Sequence, residues 1–262
     1  MTNPWTVASI PRFFFTRSAI LRRQPSPCSG VATMSAAGEK NFSSDAAHLE
    51  TIFKQKKALR SVVKRDLKSM DPILRSQEDE AIQRIVMEAP WFKACKRLCA
   101  YISSSALREV DTTQIMSHFL GSHPEDLQMQ KKLFVPRVED RNRNMRMLHI
   151  SSTDDLIANS MDILEPAPVD ADGNEREDGL AFDKAGRRLG RGGGYYDTFL
   201  SRYQELAMER NWKQPLKIAL CYSVQIVDEG TIPLTPNDIL VDALVSPSGV
   251  IPISPAALEI RH

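Results

Sequence analysis

Apolar residues recur along this chain with two different periods, and the change of period marks out its elements. Over residues 45–70, Leu49, Ile52, Phe53, Leu59, Val63 and Leu67 fall at three- and four-residue steps, the stripe of a helix with one buried face. Lys56, Arg60, Lys64 and Lys68 repeat every four residues, so their charges stack along the polar side. Asp71-Pro72 ends this helix, because a proline pushes the residue before it out of helical geometry. A second helix is expected over 77–92. The texture then changes: 97–103 (RLCAYIS) and 132–138 (KLFVPRV) are short apolar runs of the kind that form buried strands. Between them 111–120 is expected to be helical, with Asp111 as N-cap, and strand, helix, strand at this spacing is a parallel-sheet unit. Residues 145–150 add a strand and 152–157 a short helix. Further on, 195–208 forms a helix with Tyr196, Phe199, Leu200, Tyr203 and Leu206 on one face, and 216–222 and 239–245 are strands. The expected class is α/β: a central, mostly parallel sheet flanked by helices.

The first forty or so residues do not fit this pattern. No acidic residue occurs before Glu39, while Arg12, Arg17, Arg22 and Arg23 stand among hydroxyl residues and the apolar stretch Phe13, Phe14, Phe15, Ile20, Leu21. Arg-rich, hydroxyl-rich and acid-free is the composition of an organellar transit peptide, and Arg17 interrupts the apolar stretch that a secretory signal needs. The division expected is therefore 1–43 as a disordered transit peptide, 44–255 as the α/β domain and 256–262 as a tail. Four arginines favour the mitochondrion over the plastid, with a plain disordered tail as the alternative.

Composition narrows the function classes. Thirty-four Lys and Arg against 33 Asp and Glu leave a net charge of +1, so nucleic-acid or membrane-surface binding would need a local basic patch. Uninterrupted apolar runs reach only five residues (218–222), too few to span a bilayer as a helix. Cys28, Cys95, Cys99 and Cys221 form no C-x-x-C pair, which argues for reduced thiols rather than a structural zinc site.

The stretch 179–197, GLAFDKAGRRLGRGGGYYD, carries the candidate chemistry. Gly190, Gly192, Gly193 and Gly194 surround Arg191 directly ahead of a helix. Glycine backbone can approach a phosphate closely, and a helix N-terminus offers unpaired N–H donors and partial positive charge. Arg188 and Arg191 add bidentate donors. Asp197, in the first helical turn, is placed to share a magnesium ion with phosphates or simply to complement the helix dipole. Tyr195 and Tyr196 offer flat faces for stacking on a heteroaromatic ring, or core packing. The loop has neither Walker nor G-x-G-x-x-G spacing, so on these residues alone a phosphate loop and an ordinary loop both remain open.

Taken whole, L-G-R-G-G-G-Y-Y-D preceded by F-D-x-x-G-R-R resembles the signature of the 5-formyltetrahydrofolate cyclo-ligase (methenyltetrahydrofolate synthetase) family. Lys56-Lys57-Ala58-Leu59-Arg60 is similar to the family's N-terminal K-x-x-L-R helix, Leu133 to Arg137 to its Pro-Arg strand, and Ile163 to Pro166 to its Glu-Pro turn. Asn237-Asp238 with Val241-Asp242 is similar to its C-terminal D-x-x-V-D element. The resemblance runs from about Thr51 to Val245. It implies a three-layer, NagB/Rossmann-like fold and a monomer. It also implies ATP- and magnesium-dependent ring closure of 5-formyltetrahydrofolate, or of its polyglutamylated form, to 5,10-methenyltetrahydrofolate, with ADP and phosphate released and neither nucleic acid nor membrane involved. By position, Lys56 and Arg60 would clamp ATP phosphates. Arg188, Leu189, Gly190, Arg191, Gly192, Gly193, Gly194, Tyr195 and Tyr196 would form the nucleotide loop, with Arg191 and Tyr196 nearest the chemistry. Ser104, Asp111 and Tyr196 would face the folate, and Asp197 and Asp238 would hold magnesium. Met161 stands where some members carry an aromatic.

One departure from the pattern concerns the fold. In the family the G-x-x-F-D element is entered from a continuous apolar strand of the type D-L-I-x-x-P-G, whereas here Gly179 follows 169–178, VDADGNERED, which is too polar for a buried strand. An interior strand before Gly179 is expected to be missing, unless another segment, such as 145–150, fills its place. That makes an impaired isoform or a folate- or nucleotide-binding pseudoenzyme the alternative function. An RNA-binding module built on Arg-Gly-Gly beside Tyr-Tyr is a more distant one.

Overall fold

The computed structural model describes residues 13–15, 39–121, 131–138, 142–152, 156–158, 164–166, 181–190 and 193–259, with 13–15, 39–44, 138, 157–158, 164–166 and 181–183 described by their backbone alone. The long basic-faced stripe forms α1 (Glu39–Ser69), and Asp71-Pro72 both ends it and starts α2 (Pro72–Glu88). Pro72 occupies the first helical turn, where its missing N–H costs nothing, while Asp71 Oδ1 accepts from the Ile73 and Leu74 N–H groups at 2.9 and 3.0 Å. The second helix therefore begins five residues before the expected start at 77. It ends at Glu88, and a separate turn, α3 (Pro90–Lys93), follows.

A seven-stranded sheet carries the core, in the order β12-β11-β9-β1-β2-β3-β4. Its strands are β1 (Phe13–Phe15), β2 (Arg97–Cys99), β3 (Lys132–Val138), β4 (Met145–Ile150), β9 (Leu216–Leu220), β11 (Ala243–Ser246) and β12 (Gly249–Pro252). The five interior strands run parallel and only the edge strands β4 and β12 are antiparallel. The expected mostly parallel α/β sheet is what forms. α4 (Thr113–Leu120) packs on β3, α2 on β11 and β12, and α5 (Tyr195–Glu209) on β4. Phe92, Phe119, Ile82, Leu98, Ile115 and Leu133 are wholly buried between helices and sheet, each contributing about 2–3 kcal/mol of burial. Two small sheets stand apart: β5 (Leu156–Ala158) with β6 (Leu164–Pro166), and β7 (Ala181–Asp183) between β8 (Arg188–Leu189) and β10 (Ile226–Val227). A four-residue helix, α6 (Pro255–Leu258), lies mostly within the stretch read as a tail.

Several expectations need correcting. The short helix over 152–157 does not form: Leu156–Ala158 is β5, paired antiparallel with β6, so cross-strand pairing overrides a short local helical pattern. β2 stops at Cys99 and β9 at Leu220, and β11 begins at Ala243 rather than 239, because the chain beyond or before them turns into side-chain-bonded loops. α4 begins at Thr113 with Thr112 as N-cap. Asp111 sits one residue earlier, where its Oδ1 still accepts from the Thr113 N–H and hydroxyl at 3.1 and 2.7 Å.

Met145–Ile150, named as a segment that could take the place of an interior strand, is instead the edge strand β4, paired antiparallel with β3. The strand lying between β2 and β9 is β1, from the N-terminal stretch read as a disordered presequence. The polar run 169–178 lies outside the described residues.

Candidate active site

Each carboxyl end of a parallel strand opens toward the loops that connect it onward, and in open α/β sheets ligands gather there. β9 leads through a 3-10 turn (Ser223–Gln225) into β10, which pairs with β7, which pairs with β8, and β8 delivers the chain into the glycine-rich loop. Gly186 makes the turn between β7 and β8 with φ +80°. A Cβ there would meet the Val241 carbonyl at 2.7 Å, and the Gly186 carbonyl accepts from the Val241 N–H at 3.0 Å. The loop is thereby pinned against the 235–242 segment.

On that frame four segments converge. Lys56 of α1, 5% exposed, donates to Asp238 Oδ2 at 2.5 Å. Arg188 of β8, 4% exposed, donates to Asp197 Oδ1 at 2.6 Å. The Ile239 N–H donates to the same Asp197 oxygen at 3.2 Å, and since Ile239 follows Asp238 the two ion pairs are bridged through the backbone. Asp238 Oδ2 is further held by the Thr235 N–H and hydroxyl at 2.6 and 3.0 Å. Arg60, one helical turn beyond Lys56, donates from Nε to the Gly190 carbonyl at 2.5 Å and ties α1 to the glycine-rich loop. Lys56, Arg60, Arg188, Gly190, Asp197 and Asp238, far apart in sequence, are thus brought together. Leu189 is wholly buried beneath them.

Gly194 caps α5 in the left-handed region (φ +72°), and no side chain caps that helix end. Gly193 stands beside it, while Arg191 and Gly192 lie outside the described residues, as does Met161. Tyr195 and Tyr196 are buried, packed with Met145, Met147 and Phe199, and the Arg188 guanidinium carbon lies 5.8 Å from the Tyr196 ring centroid. The ring of Tyr196 is therefore a wall that supports Arg188, which matches the core-packing alternative better than a stacking platform.

Ser104 and Asp111 belong to a second polar group, on the loop after β2. The Ser104 N–H donates to Glu109 Oε2 at 2.7 Å. Asp111 Oδ1 accepts from the Ser103 hydroxyl at 2.8 Å, and the Asp111 N–H donates to Asp79 Oδ1 at 2.8 Å. The Tyr222 hydroxyl lies 2.7 Å from Asp79 Oδ1 and 2.8 Å from the Glu109 carbonyl, and Glu78 accepts from the Ser223 N–H and hydroxyl at 2.9 and 2.5 Å. Burial raises the Asp79 carboxyl above its ordinary value. Burial acts the same way on Asp111, but hydrogen bonds from Thr113, Ser103 and Gln83 outweigh it and hold that carboxyl below. Tyr222 is pushed up by burial and by its bond to Asp79.

The sequence reading missed Glu78, Asp79, Glu109 and Tyr222. One signal was available: Glu78 stands four residues before Ile82 and eight before Val86, on the apolar stripe of α2, where an acid calls for a buried partner. It also missed Arg143, whose φ of 68° sets it apart among non-glycine residues and whose guanidinium carbon would lie 3.5 Å from a Cβ on Gly194. No motif announces it. Cys95, Cys99 and Cys221 are buried and form no disulfide with one another, and burial raises the Cys99 and Cys221 thiols.

A sequence model of the 5-formyltetrahydrofolate cyclo-ligase family matches residues 52–247, about three quarters of the chain and nearly all of it beyond the presequence. The chain belongs to that family. This cyclo-ligase chain is 56% identical to the mitochondrial 5-formyltetrahydrofolate cyclo-ligase of Arabidopsis thaliana, with 95% of this chain and 93% of the relative covered. It is 30% identical to a probable 5-formyltetrahydrofolate cyclo-ligase of Schizosaccharomyces pombe over 75% of this chain and 97% of that one. Among solved structures, the Aquifex aeolicus 5,10-methenyltetrahydrofolate synthetase matches with a TM-score of 0.57 at 27% identity, covering 76% of this chain and 92% of that one. The Arabidopsis match is 266 positions long, yet only about 249 of the 262 residues here (95%) take part, so about 17 matched positions have no counterpart in this chain.

Proposed function

We propose that this cyclo-ligase closes 5-formyltetrahydrofolate to 5,10-methenyltetrahydrofolate at the expense of ATP, in the mitochondrion. The observation that carries it is the pair of bridged, buried cation–carboxylate contacts, Lys56–Asp238 and Arg188–Asp197, beside the Gly190 loop. Phosphoryl transfer asks a protein for positioning and charge neutralisation more than for a nucleophile. Two buried cations suit the phosphates of ATP, and the two carboxylates they now hold suit magnesium, which takes one or two carboxylates together with phosphate oxygens and water. Among the described residues no cluster of three or more metal-ligating side chains exists, which fits a metal that arrives with its nucleotide. When bound, magnesium would neutralise phosphate charge.

The residues' own parts follow from their contacts. Lys56 and Arg188 would hold the phosphates of ATP, and Asp197 and Asp238 would hold the magnesium ion. Arg60 keeps the loop in place through the Gly190 carbonyl, and Tyr196 keeps Arg188 aimed. By the family resemblance, Arg191 would add a phosphate contact, and Ser104 and Asp111, on the loop after β2, would border the folate. The presequence composition, with the mitochondrial naming of the Arabidopsis relative, supports the location.

The test mixes the 262-residue chain with 5-formyltetrahydrofolate, ATP and magnesium and follows methenyltetrahydrofolate absorbance, alongside a version carrying an apolar strand inserted before Gly179. Turnover that falls at least a hundredfold in Arg191→Ala and Asp197→Asn is expected, since charge-stabilising contacts of this kind are worth roughly that much. Silence in both chains would end the reading. A second reading, a folate- or nucleotide-binding protein without turnover, draws on the 17 or so unmatched positions; ligand binding without product in the 262-residue chain would select it.

A further inference from the structure

β1 is the middle strand of the main sheet. Phe13 and Phe14 pair with Leu98 and Cys99 of β2 on one side, and Phe13, Phe14 and Phe15 pair with Leu216, Lys217 and Ile218 of β9 on the other, both in parallel. Neighbouring strands lie about 4.8 Å apart, so with β1 absent β2 and β9 would stand roughly 10 Å from each other and could not pair. The sheet would fall into β12-β11-β9 and β2-β3-β4, each with a newly unpaired inner edge. Those edges are the worst place for it, because Leu98, Cys99, Ile218 and Ala219 are at most 1% exposed and buried backbone groups without partners are costly.

Three further observations concern what normally fills the space. The family pattern enters G-x-x-F-D from an apolar strand, and here a polar run stands in its place. The Arabidopsis match carries about 17 positions that this chain does not have. Finally, β1, like its neighbour β2, spans three residues, against five in β9. Among residues 1–38, Phe13–Phe15 is the longest aromatic run, and aromatic residues favour strands.

We propose that the space between β2 and β9 is a strand-acceptor site, and that this chain fills it with its own N-terminal Phe13–Phe15 segment in a parallel, intrachain form of strand addition. The sheet is then complete only while the N-terminus is retained. If the presequence reading is right, removal of residues 1–43 on import also withdraws the central strand, so targeting and folding compete for the same residues.

Two measurements on the full 262-residue chain decide it. Phe14→Cys puts a second thiol opposite Cys99 on a paired strand, within the Cα separation that a disulfide can bridge. Under mild oxidation an intrachain Phe14→Cys–Cys99 link, located by peptide mapping, is expected, and a folded protein with no such link overturns the strand's placement. Phe14→Pro removes a backbone donor from the middle of the inserted strand. Amide hydrogen exchange at 97–99 and 216–218 is then expected to quicken at least tenfold, with β3–β4 and β11–β12 amides less affected. Unchanged exchange there would overturn the dependence of the sheet on this segment. If Phe14→Pro unfolds the chain outright, the dependence stands, and the cross-link alone decides the placement.

Discussion

Two polar groups are buried near the carboxyl ends of the strands, and they are built on opposite principles. The group around Lys56, Arg188, Asp197 and Asp238 joins opposite charges contributed by four separate segments. The group around Glu78, Asp79, Glu109 and Asp111 joins acids to hydroxyls and backbone N–H groups, and it fastens α2 to the loops after β2 and β9. In the first, a buried cation faces a carboxylate directly in each pair, a contact for which a charged ligand would compete. In the second, Glu78, Asp79 and Asp111 each accept from two or more neutral donors. Under the proposed function the first group exchanges partners, while the second holds a helix in place.

The sharpest way to break this comparison is to remove one partner of an ion pair. Asp238→Ala leaves Lys56 buried and uncompensated, and losing one partner of a buried pair costs about 3 kcal/mol or more. The double change Lys56→Met with Asp238→Ala should recover much of that, because the cost lies in the stranded charge rather than in a lost attraction. Urea melts of the two variants and the parent measure both. Equal loss in single and double variants would mean the pair is structural cement, and would count against partner exchange.

A smaller effect is expected in the second group. Tyr222→Phe removes the hydroxyl shared by Asp79 and the Glu109 carbonyl inside a wholly buried ring, for a loss of about 1–2 kcal/mol. Folate turnover, measured at a temperature where the variant stays folded, should change less than stability does. A loss of turnover well beyond the loss of fold would instead give this network a place in the chemistry.

These two groups also mark how far the sequence could be read. That Lys56, Arg60, Arg188, Asp197 and Asp238 belong to one place was legible because the short stretches that carry them together resemble one family, and the structure brings them together. The parallel sheet was legible because its strands are buried on both faces and read as plain apolar runs, 132–138 and 216–222 most clearly. The acid network was not legible, since hydrogen bonds between Asp79, Tyr222 and Asp111 depend on strand order, which brings residues 143 positions apart within 2.7 Å. Nor was β1: Phe13–Phe15 carries the composition of an address sequence, and its pairing with β2 and β9 depends on strand order. The short helix expected over 152–157 failed for a related reason, as pairing with Leu164–Pro166 decided Leu156–Ala158.

The finest test separates the two central acids of the network by sign. Asp79 is held above its ordinary value chiefly by burial, so its ionised form weighs against the folded state. Asp79→Asn keeps an acceptor for the Asp111 N–H and the Tyr222 hydroxyl and removes that charge, and a small gain in melting temperature at pH 7 is expected. The gain should shrink as the pH falls through the raised folded value, where wild-type Asp79 takes up its own proton. Asp111 is the reverse case. Burial raises it but the bonds from Thr113, Ser103 and Gln83 prevail, so its ionised form stabilises the fold above the unfolded value and that contribution is lost as pH falls through the lowered folded one. Asp111→Asn should therefore melt lower than the parent at pH 7, the deficit closing in acid. Thermal melts of both variants from pH 7 downward read the two slopes directly. Slopes of the same sign would mean that burial governs both acids alike, and that the hydroxyl and N–H donors around Asp111 do not distinguish it from Asp79.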